Sequence, residues 1–218
     1  MNKEGMILGG IGLITLLIVV GAALLLSGPK SSQSTSTIVT DKALLYGPLE
    51  DRNSAGSESA KVAIVEFGDF QCPACGVAAP IVKKIKEEYK DKIYVVFRNF
   101  PLTQHANAPL SAQAAYAAGK QGKFWEMYDQ LYGEQAAWAE KPNAKDIIST
   151  FASGLGLNMT DYLASVNDSA GNPKIQKDQN DGYQLGVKST PTFFINGEMY
   201  AEVLSYEEFK KIIDDKLK

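Results

Sequence analysis

The sequence is poor in the residues that metal sites and disulfide-rich folds need, with two cysteines and one histidine in 218 residues. Two cysteines can form only one disulfide bond, so a framework of several disulfides is excluded. A structural zinc ion usually takes four nitrogen or sulfur ligands, which disfavours a zinc site within one chain. We therefore expect neither a metal nor another cofactor.

A strong excess of charge is also missing. The chain has 22 Lys and Arg residues against 25 Asp and Glu residues, for a net charge of −3. Without a Lys/Arg cluster to neutralise phosphates, nucleic-acid binding is not expected. Apolar residues make up 45% of the chain, an ordinary share for a globular domain. We expect one main domain and a monomer.

One long apolar run stands near the N-terminus, from Met6 to Leu26, and carries no charge. At 1.5 Å per residue a helix of this length crosses a hydrocarbon core of about 30 Å. The alternative is a cleaved signal peptide, whose apolar region is shorter and ends in small residues, whereas Leu25 stands near the end of this run. The pattern predicts a signal anchor over residues 1–27 and a single-pass protein of the cell membrane.

The segment after the anchor is rich in Ser, Thr, Gly and Asn. Such a composition buries too little apolar surface to order itself, so we predict a flexible tether over residues 28–60. Within it, Ala43–Tyr46 could form a short edge strand.

Both cysteines lie in the stretch FGDFQCPACG, directly after the apolar run Val62–Val65. A strand that turns into a helix here places the Cys72 sulfur at the helix N-terminus, where free N–H groups and the helix dipole favour a thiolate. Cys72 is then the nucleophile of a disulfide exchange and Cys75 the resolving cysteine. Pro73 and Ala74 decide how many amides face Cys72. A zinc pair or two inert buried thiols are the alternative interpretations.

Patterns of apolar residues predict an α/β domain over residues 61–218. Its strands are expected at 62–67, 93–98, 192–195 and 199–203, and its helices at 73–90, 111–121, 124–135, 144–155, 159–166, 174–185 and 206–217. The second and third strands are much further apart than the dozen or so residues that a parallel crossover needs. The excess predicts an inserted helical subdomain over about 104–172.

This order of elements resembles the thioredoxin fold. The motifs FGDFQCPACG, VFRNFPL, QGKFWEMYDQLY and GVKSTPTFFING are similar to those of the DsbA-like thiol-disulfide oxidoreductases, in the membrane-anchored branch that includes the Bacillus-type BdbD proteins. The resemblance covers the chain from Val62 onwards. It implies that Pro191 has a cis peptide bond opposite the cysteines and that Thr190 before it binds an extended substrate strand.

The resemblance also implies an activity. It is that of an extracytoplasmic dithiol oxidase, which takes electrons from thiols of newly exported, unfolded proteins and passes them to a quinone-linked membrane partner. A cysteine pair without a third cysteine to mispair suits an oxidising compartment. Because Ala74 stands where the family often has histidine, we expect a milder oxidant.

Glu66 lies six positions before Cys72, on a strand that should be buried on both faces. Burial raises the pKa of a carboxyl group, so Glu66 could accept and return the proton of Cys75. The resemblance supports this role, because thioredoxin-like proteins have an acidic residue at this position. The alternative is a carboxylate at a solvent-facing strand end.

His105 and Arg98 are possible modulators of the cysteine pair. His105 could instead be a cap or surface group at a helix start, and Arg98 a solvated charge at a strand end. A Cys72–His105 hydrolase is disfavoured, because Cys75 would capture the nucleophile as a disulfide.

Two other functions fit the same residues. One is a disulfide reductase or isomerase, and the other is a chaperone or adaptor that holds unfolded chains without using its cysteines. The reduction potential separates an oxidase from a reductase, and a double cysteine variant would identify the chaperone.

Overall fold

A computed structural model describes residues 38–167 and 172–218. In this part of the chain a five-stranded sheet is flanked by helices. The strands are β1 (Asn53–Gly56), β2 (Val62–Gly68), β3 (Ile93–Asn99), β4 (Thr192–Ile195) and β5 (Glu198–Tyr200). The thioredoxin-like α/β fold expected from the sequence is confirmed.

The described residues contain the seven expected helices in the expected order, and two short helices, Lys42–Tyr46 and Gln135–Trp138, that were not expected. They are α1 (Lys42–Tyr46), α2 (Pro73–Tyr89), α3 (Ala108–Gly119), α4 (Phe124–Gly133), α5 (Gln135–Trp138), α6 (Ala144–Gly154), α7 (Met159–Val166), α8 (Pro173–Gln184) and α9 (Tyr206–Leu217), with short 3₁₀ turns at Leu49–Asp51 and Lys90–Lys92. Helices α3 to α7 form the helical insertion between β3 and α8.

The sheet has the strand order β1-β3-β2-β4-β5. Strand β2 lies at its centre, parallel to β3 and antiparallel to β4, and β4 pairs with β5 in a hairpin. Asn196 and Gly197 form the hairpin turn with φ angles of 50° and 82°, a left-handed conformation that these residue types tolerate best. Every residue of β2 and of β3 is buried.

Side chains of β2 point alternately to the two faces of the sheet, as the pleat requires. Val62 and Ile64 pack with residues of α2 and α9, whereas Ala63, Val65 and Phe67 pack with Leu45 and Val187 on the other face. Glu66 has the same parity as Val62 and Ile64. Its carboxyl group therefore lies on the face that α2, the helix of the cysteines, covers.

The helical insertion joins the sheet through aromatic rings. Phe70, next to the cysteines, packs its ring 5.0 Å from that of Phe97 on β3 and 4.9 Å from that of Tyr132 on α4, measured between centroids. Such tilted ring pairs contribute beyond their buried area. The cysteine turn is thereby held between the sheet and the insertion.

The tether prediction is wrong for the part of residues 28–60 that the structure describes. Residues 53–56 form β1, which pairs antiparallel with the open edge of β3, and Ala43–Tyr46 lies in helix α1 rather than in a strand. Composition does not reveal this structure, because the segment is held by hydrogen bonds to residues far along the chain. Trp125 Nε1, for example, donates to the carbonyl oxygen of Ser54 at 3.0 Å. The domain therefore begins before residue 61.

The predicted signal anchor, residues 1–27, lies outside the described residues. Across 38–167 and 172–218, none of the helices combines the length and the apolar character that crossing a membrane requires.

Arg98 is not the solvated charge that the sequence suggested, because it is 1% exposed. Its guanidinium donates to Asp178 at 2.6 Å, to Asp181 at 2.5 Å and to the carbonyl oxygens of Leu44 and Leu45. The pleat explains the difference, since Arg98 follows Phe97 and points to the opposite face of the sheet. This charge network ties α1 and α8 to β3.

Breaking this network should destabilise the fold. Asp178 also accepts hydrogen bonds from Lys174 and Asn99, so Asp178→Asn leaves buried charge without its partner. We expect a loss of about 3 kcal/mol in the free energy of unfolding, measured by urea denaturation. Asp129→Asn, which breaks an exposed pair with Lys83, is the control and should cost less than about 1 kcal/mol. Equal losses in the two variants would contradict the structural role of the network.

Candidate active site

The two cysteines lie where β2 turns into α2. Cys72 is the N-cap residue of α2 and Pro73 occupies its first turn, where a missing N–H group costs nothing. The Cys72 side chain retains slight exposure, and Cys75, one turn into the helix, has none. Both are free thiols in this structure. An incoming sulfur atom can therefore reach Cys72 and not Cys75.

The Cys72 thiol is a strong acid for its type, with its pKa lowered to about 5. The hydrogen bond from Cys75 is the largest cause, and it outweighs the burial that opposes ionisation. The backbone N–H groups of Cys75 and Ala74 lower the pKa further. The thiolate predicted for the helix N-terminus is thus favoured by the structure.

The pKa of the Cys75 thiol is shifted in the opposite direction. Burial raises its pKa well above the usual value, and the neighbouring Cys72 and Glu66 raise it further. At neutral pH Cys75 holds its proton while Cys72 has lost its own. The pair is therefore polarised into a thiolate nucleophile and a protonated partner.

Glu66 is fully buried on the sheet face that α2 covers. Burial raises its pKa to about 7, although the hydrogen bond from Tyr128 and the charge of Lys86 act in the other direction. The Tyr128 hydroxyl donates to Glu66 Oε2 at 3.1 Å, and Oε1 has no hydrogen-bond partner within the described ranges. A carboxyl group with this pKa can both take up and release a proton near neutral pH.

Lys86 carries the positive charge that acts on Glu66, and it is not among the site residues that the sequence predicted. The ammonium lies 3.2 Å from the centre of the Trp125 ring, and burial lowers its pKa to about 8. Lys86 and Tyr128 look like an ordinary surface lysine and an ordinary core aromatic in the sequence. Only packing of α2 on α4 brings them to Glu66.

Thr190 and Pro191 lie opposite the nucleophile. The peptide bond between them is cis, and the Cys72 sulfur lies 3.4 Å from the carbonyl oxygen of Thr190, to which it donates only when it is protonated. The loop that carries them leads directly into β4, which pairs with β2. The structure thus brings together Cys72, Cys75, Glu66, Thr190 and Pro191, as the sequence predicted.

Two polar residues that the sequence did not single out hold the cysteine turn to the insertion. Gln71 donates to the carbonyl oxygen of Ala139 at 2.6 Å, and its Oε1 accepts from the N–H of Asn107. Gln135 on α5 donates to the carbonyl oxygens of Phe70 and Cys72 at 2.7 and 3.0 Å. A glutamine so far along the chain carries no sequence signal for this role.

The two proposed modulators have different positions. His105 contacts the buried Asp69 carboxylate, with Nδ1 and Oδ2 2.6 Å apart, and Asp69 lies three residues before Cys72. Arg98 points to the other face of the sheet, into the network of Asp178 and Asp181. The prediction that Arg98 borders the site is therefore wrong, whereas His105 is connected to the turn through Asp69.

Comparisons with known proteins agree with this geometry. A family model described as Thioredoxin matches residues 50–215. The chain is 30% identical to the probable disulfide bond formation protein D of Bacillus cereus over 174 residues, 77% of this chain and 79% of that protein. It is also 37% identical to the Na(+)/H(+) antiporter NhaA 1 of Salinispora arenicola over 146 residues, but spans only 22% of the antiporter's length.

Solved structures show the same fold. The crystal structure of α-DsbA1 from Wolbachia pipientis superposes with a TM-score of 0.70 at 22% identity, covering 78% of this chain and 92% of that one. Oxidised BdbD from Bacillus subtilis gives 0.68 at 22% identity, covering 78% and 95%. The family model and the Bacillus cereus relative show that the chain belongs to the thioredoxin family and is related to the disulfide bond formation proteins.

Proposed function

We propose that this enzyme is a dithiol oxidase, which introduces disulfide bonds into exported proteins. The observation that carries the proposal is the stabilised Cys72 thiolate. A low thiol pKa stabilises the reduced form of a cysteine pair and so makes its disulfide more oxidising. The name of the Bacillus cereus relative, a probable disulfide bond formation protein, supports the same direction.

The reaction proceeds through a mixed disulfide on Cys72. A substrate thiolate attacks the Cys72 sulfur of the Cys72–Cys75 disulfide, the S–S bond breaks, and Cys75 leaves with the electron pair. A second substrate thiolate then attacks the substrate sulfur of the mixed disulfide and expels Cys72. The substrate loses two electrons and the enzyme pair gains them. Cys72 is a good leaving group because its thiol is acidic, so the second step runs towards the substrate disulfide.

The departing Cys75 needs a proton, because burial makes its thiolate unfavourable. Glu66 is proposed to supply it and to take it back when the enzyme is reoxidised. Its pKa of about 7 suits both directions at neutral pH. Because Glu66 is fully buried, it would act from the protein interior and not from the surface that a substrate strand would occupy.

Substrate binding is proposed at Thr190 and Pro191. A flexible chain can add to the edge of this loop as an extended strand through backbone hydrogen bonds, which accept many sequences. Because the carbonyl oxygen of Thr190 already contacts the Cys72 sulfur, a chain bound there would bring its own sulfur next to the nucleophile.

The compartment and partners are part of the same proposal. Met6–Leu26 would anchor the protein as a single-pass membrane protein with its catalytic domain outside the cytoplasm, where thiol oxidation is useful. A quinone-linked membrane partner would reoxidise the Cys72–Cys75 dithiol. The redox pair itself would be the reactive group of a monomer, without metal or cofactor.

The reduction potential tests the direction of electron flow. We expect the Cys72–Cys75 pair to be more oxidising than thioredoxin, whose potential is about −270 mV, because the Cys72 thiolate is stabilised. Equilibration of the full-length protein with glutathione buffers measures it. A value at or below that of thioredoxin would reject the oxidase and favour the reductase.

The titration of Cys72 tests the origin of that potential. The rate of alkylation of the reduced protein should rise with pH and reach half its maximum near pH 5, because the Cys72 pKa is lowered to about 5. Cys72→Ser should remove this reaction, since Cys75 is buried and protonated. An alkylation midpoint near the ordinary cysteine pKa, about 8.5, would contradict the stabilised thiolate.

Glu66→Gln should slow the enzyme and stabilise its fold. The folded pKa of Glu66 lies above its ordinary value, so the unfolded state releases this proton at lower pH and the stability of the wild type falls as pH rises from about 4.5 to 7. The variant lacks this loss and should be more stable by about 3 kcal/mol above pH 7, with no difference below pH 4. Urea denaturation and the rate of dithiol oxidation across this pH range provide the two measurements. Unchanged rates would reject Glu66 as the proton donor.

A further inference from the structure

We propose that His105 is a positioning residue of the redox turn: through the carboxylate of Asp69 it holds residues 69–72 in the conformation on which both cysteine sulfurs depend. His105 does not touch the reacting atoms. Its consequence for disulfide exchange rests on the proposed function, but its effect on the cysteine pair can be measured whichever way electrons flow.

The Asp69 carboxylate is a buried acceptor whose three partners come from two segments. Its side chain has no solvent exposure. Oδ1 accepts the N–H of Gln71 at 2.8 Å, and Oδ2 accepts the N–H of Leu102 at 3.0 Å and Nδ1 of His105 at 2.6 Å. Because a carboxylate only accepts, Nδ1 of His105 carries the hydrogen. The carboxylate thus joins the cysteine turn to the loop after β3.

The backbone of Asp69 reaches both cysteines. Its carbonyl oxygen accepts the N–H of Cys72 at 3.0 Å, and its backbone acts on the Cys75 thiol, whose pKa it lowers against the effect of burial. A displacement of Asp69 therefore moves the start of α2, where backbone N–H groups face the Cys72 sulfur. A rotation or shift of the Asp69 carboxylate would therefore alter the surroundings of both thiols.

His105 is itself fixed in place. Its N–H donates to the carbonyl oxygen of Leu102 at 3.1 Å, and its carbonyl oxygen accepts the N–H of Ala108 at the start of α3. The imidazole is 17% exposed, so it closes the side of Asp69 that would otherwise face water. Without its donor, Asp69 would be an underbonded buried anion, which relaxes by moving or by admitting water.

The variants His105→Leu and His105→Asn test this role. Leucine removes the donor, and asparagine can replace Nδ1–H with its own amide N–H. We expect His105→Leu to raise the Cys72 pKa by about one unit, a tenfold smaller ionisation constant, and to make the pair about tenfold less oxidising against glutathione, about 30 mV. His105→Asn should recover most of both losses.

Asp178→Asn is the matched control, because it weakens the fold on the other sheet face without contacting the turn. It should change the thermal unfolding temperature but neither the Cys72 pKa nor the glutathione equilibrium. The positioning role would be overturned if a folded His105→Leu protein kept the wild-type Cys72 pKa and glutathione equilibrium. It would also be overturned if His105→Leu and His105→Asn changed these two quantities equally. The potential of the wild type, which tests the oxidase itself, is unaffected by either result.

A spectroscopic test on the wild-type protein covers the case in which His105→Leu does not fold. His105 is the only histidine of the chain, so the NMR signals of its two imidazole nitrogens can be assigned without further variants. We expect the Nδ1–H tautomer in the oxidised and the reduced protein, and a shift of the Nδ1 signal upon reduction. An Nε2–H tautomer, or identical spectra in the two redox states, would overturn the inference.

Discussion

Strand β2 is hydrogen-bonded along both edges and covered by side chains on both faces, so each of its residues is buried. This burial decides the chemistry of Glu66, which would be an ordinary carboxylate on an edge strand. Here desolvation raises its pKa to about 7 and makes it a neutral acid that can exchange a proton. The same strand ends at the turn that carries Cys72. The position of Cys72 and the raised pKa of Glu66 therefore have one physical origin, the buried central strand.

The start of helix α2 separates the two thiols over one helical turn. At its N-terminus, hydrogen bonds from Cys75 and from free backbone N–H groups lower the pKa of Cys72 to about 5. One turn further in, burial raises the pKa of Cys75 instead. The two effects reinforce each other, because the protonated Cys75 is the main donor to the Cys72 thiolate. A pair of identical residues thus acquires distinct roles from position alone.

The helical insertion is part of the active site rather than an addition to it. Tyr128 reaches the Glu66 carboxyl group, Gln135 binds the backbone of the cysteine turn, and the Trp125 ring packs on the ammonium of Lys86, a residue of the cysteine helix. On the other side, the loop after β3 contacts the turn through Asp69. The turn is therefore held on two sides by segments that are remote in sequence.

Several features could be predicted from the sequence, because each depends on local spacing or on a motif. They are the order of elements, the position of the cysteine pair, the buried Glu66, the Asn196–Gly197 hairpin and the Thr190–Pro191 loop. The regular structure of residues 38–60 could not be predicted, since β1 and α1 are hydrogen-bonded to β3, Trp125 and Arg98, which lie far along the chain. Arg98 is buried because the pleat directs it to the sheet face on which α8 supplies Asp178 and Asp181. By itself, the sequence determined which atoms can exchange electrons. Only the tertiary structure decided which side chains hold those atoms in place, because Asp69, His105 and Gln135 act through contacts between segments distant along the chain.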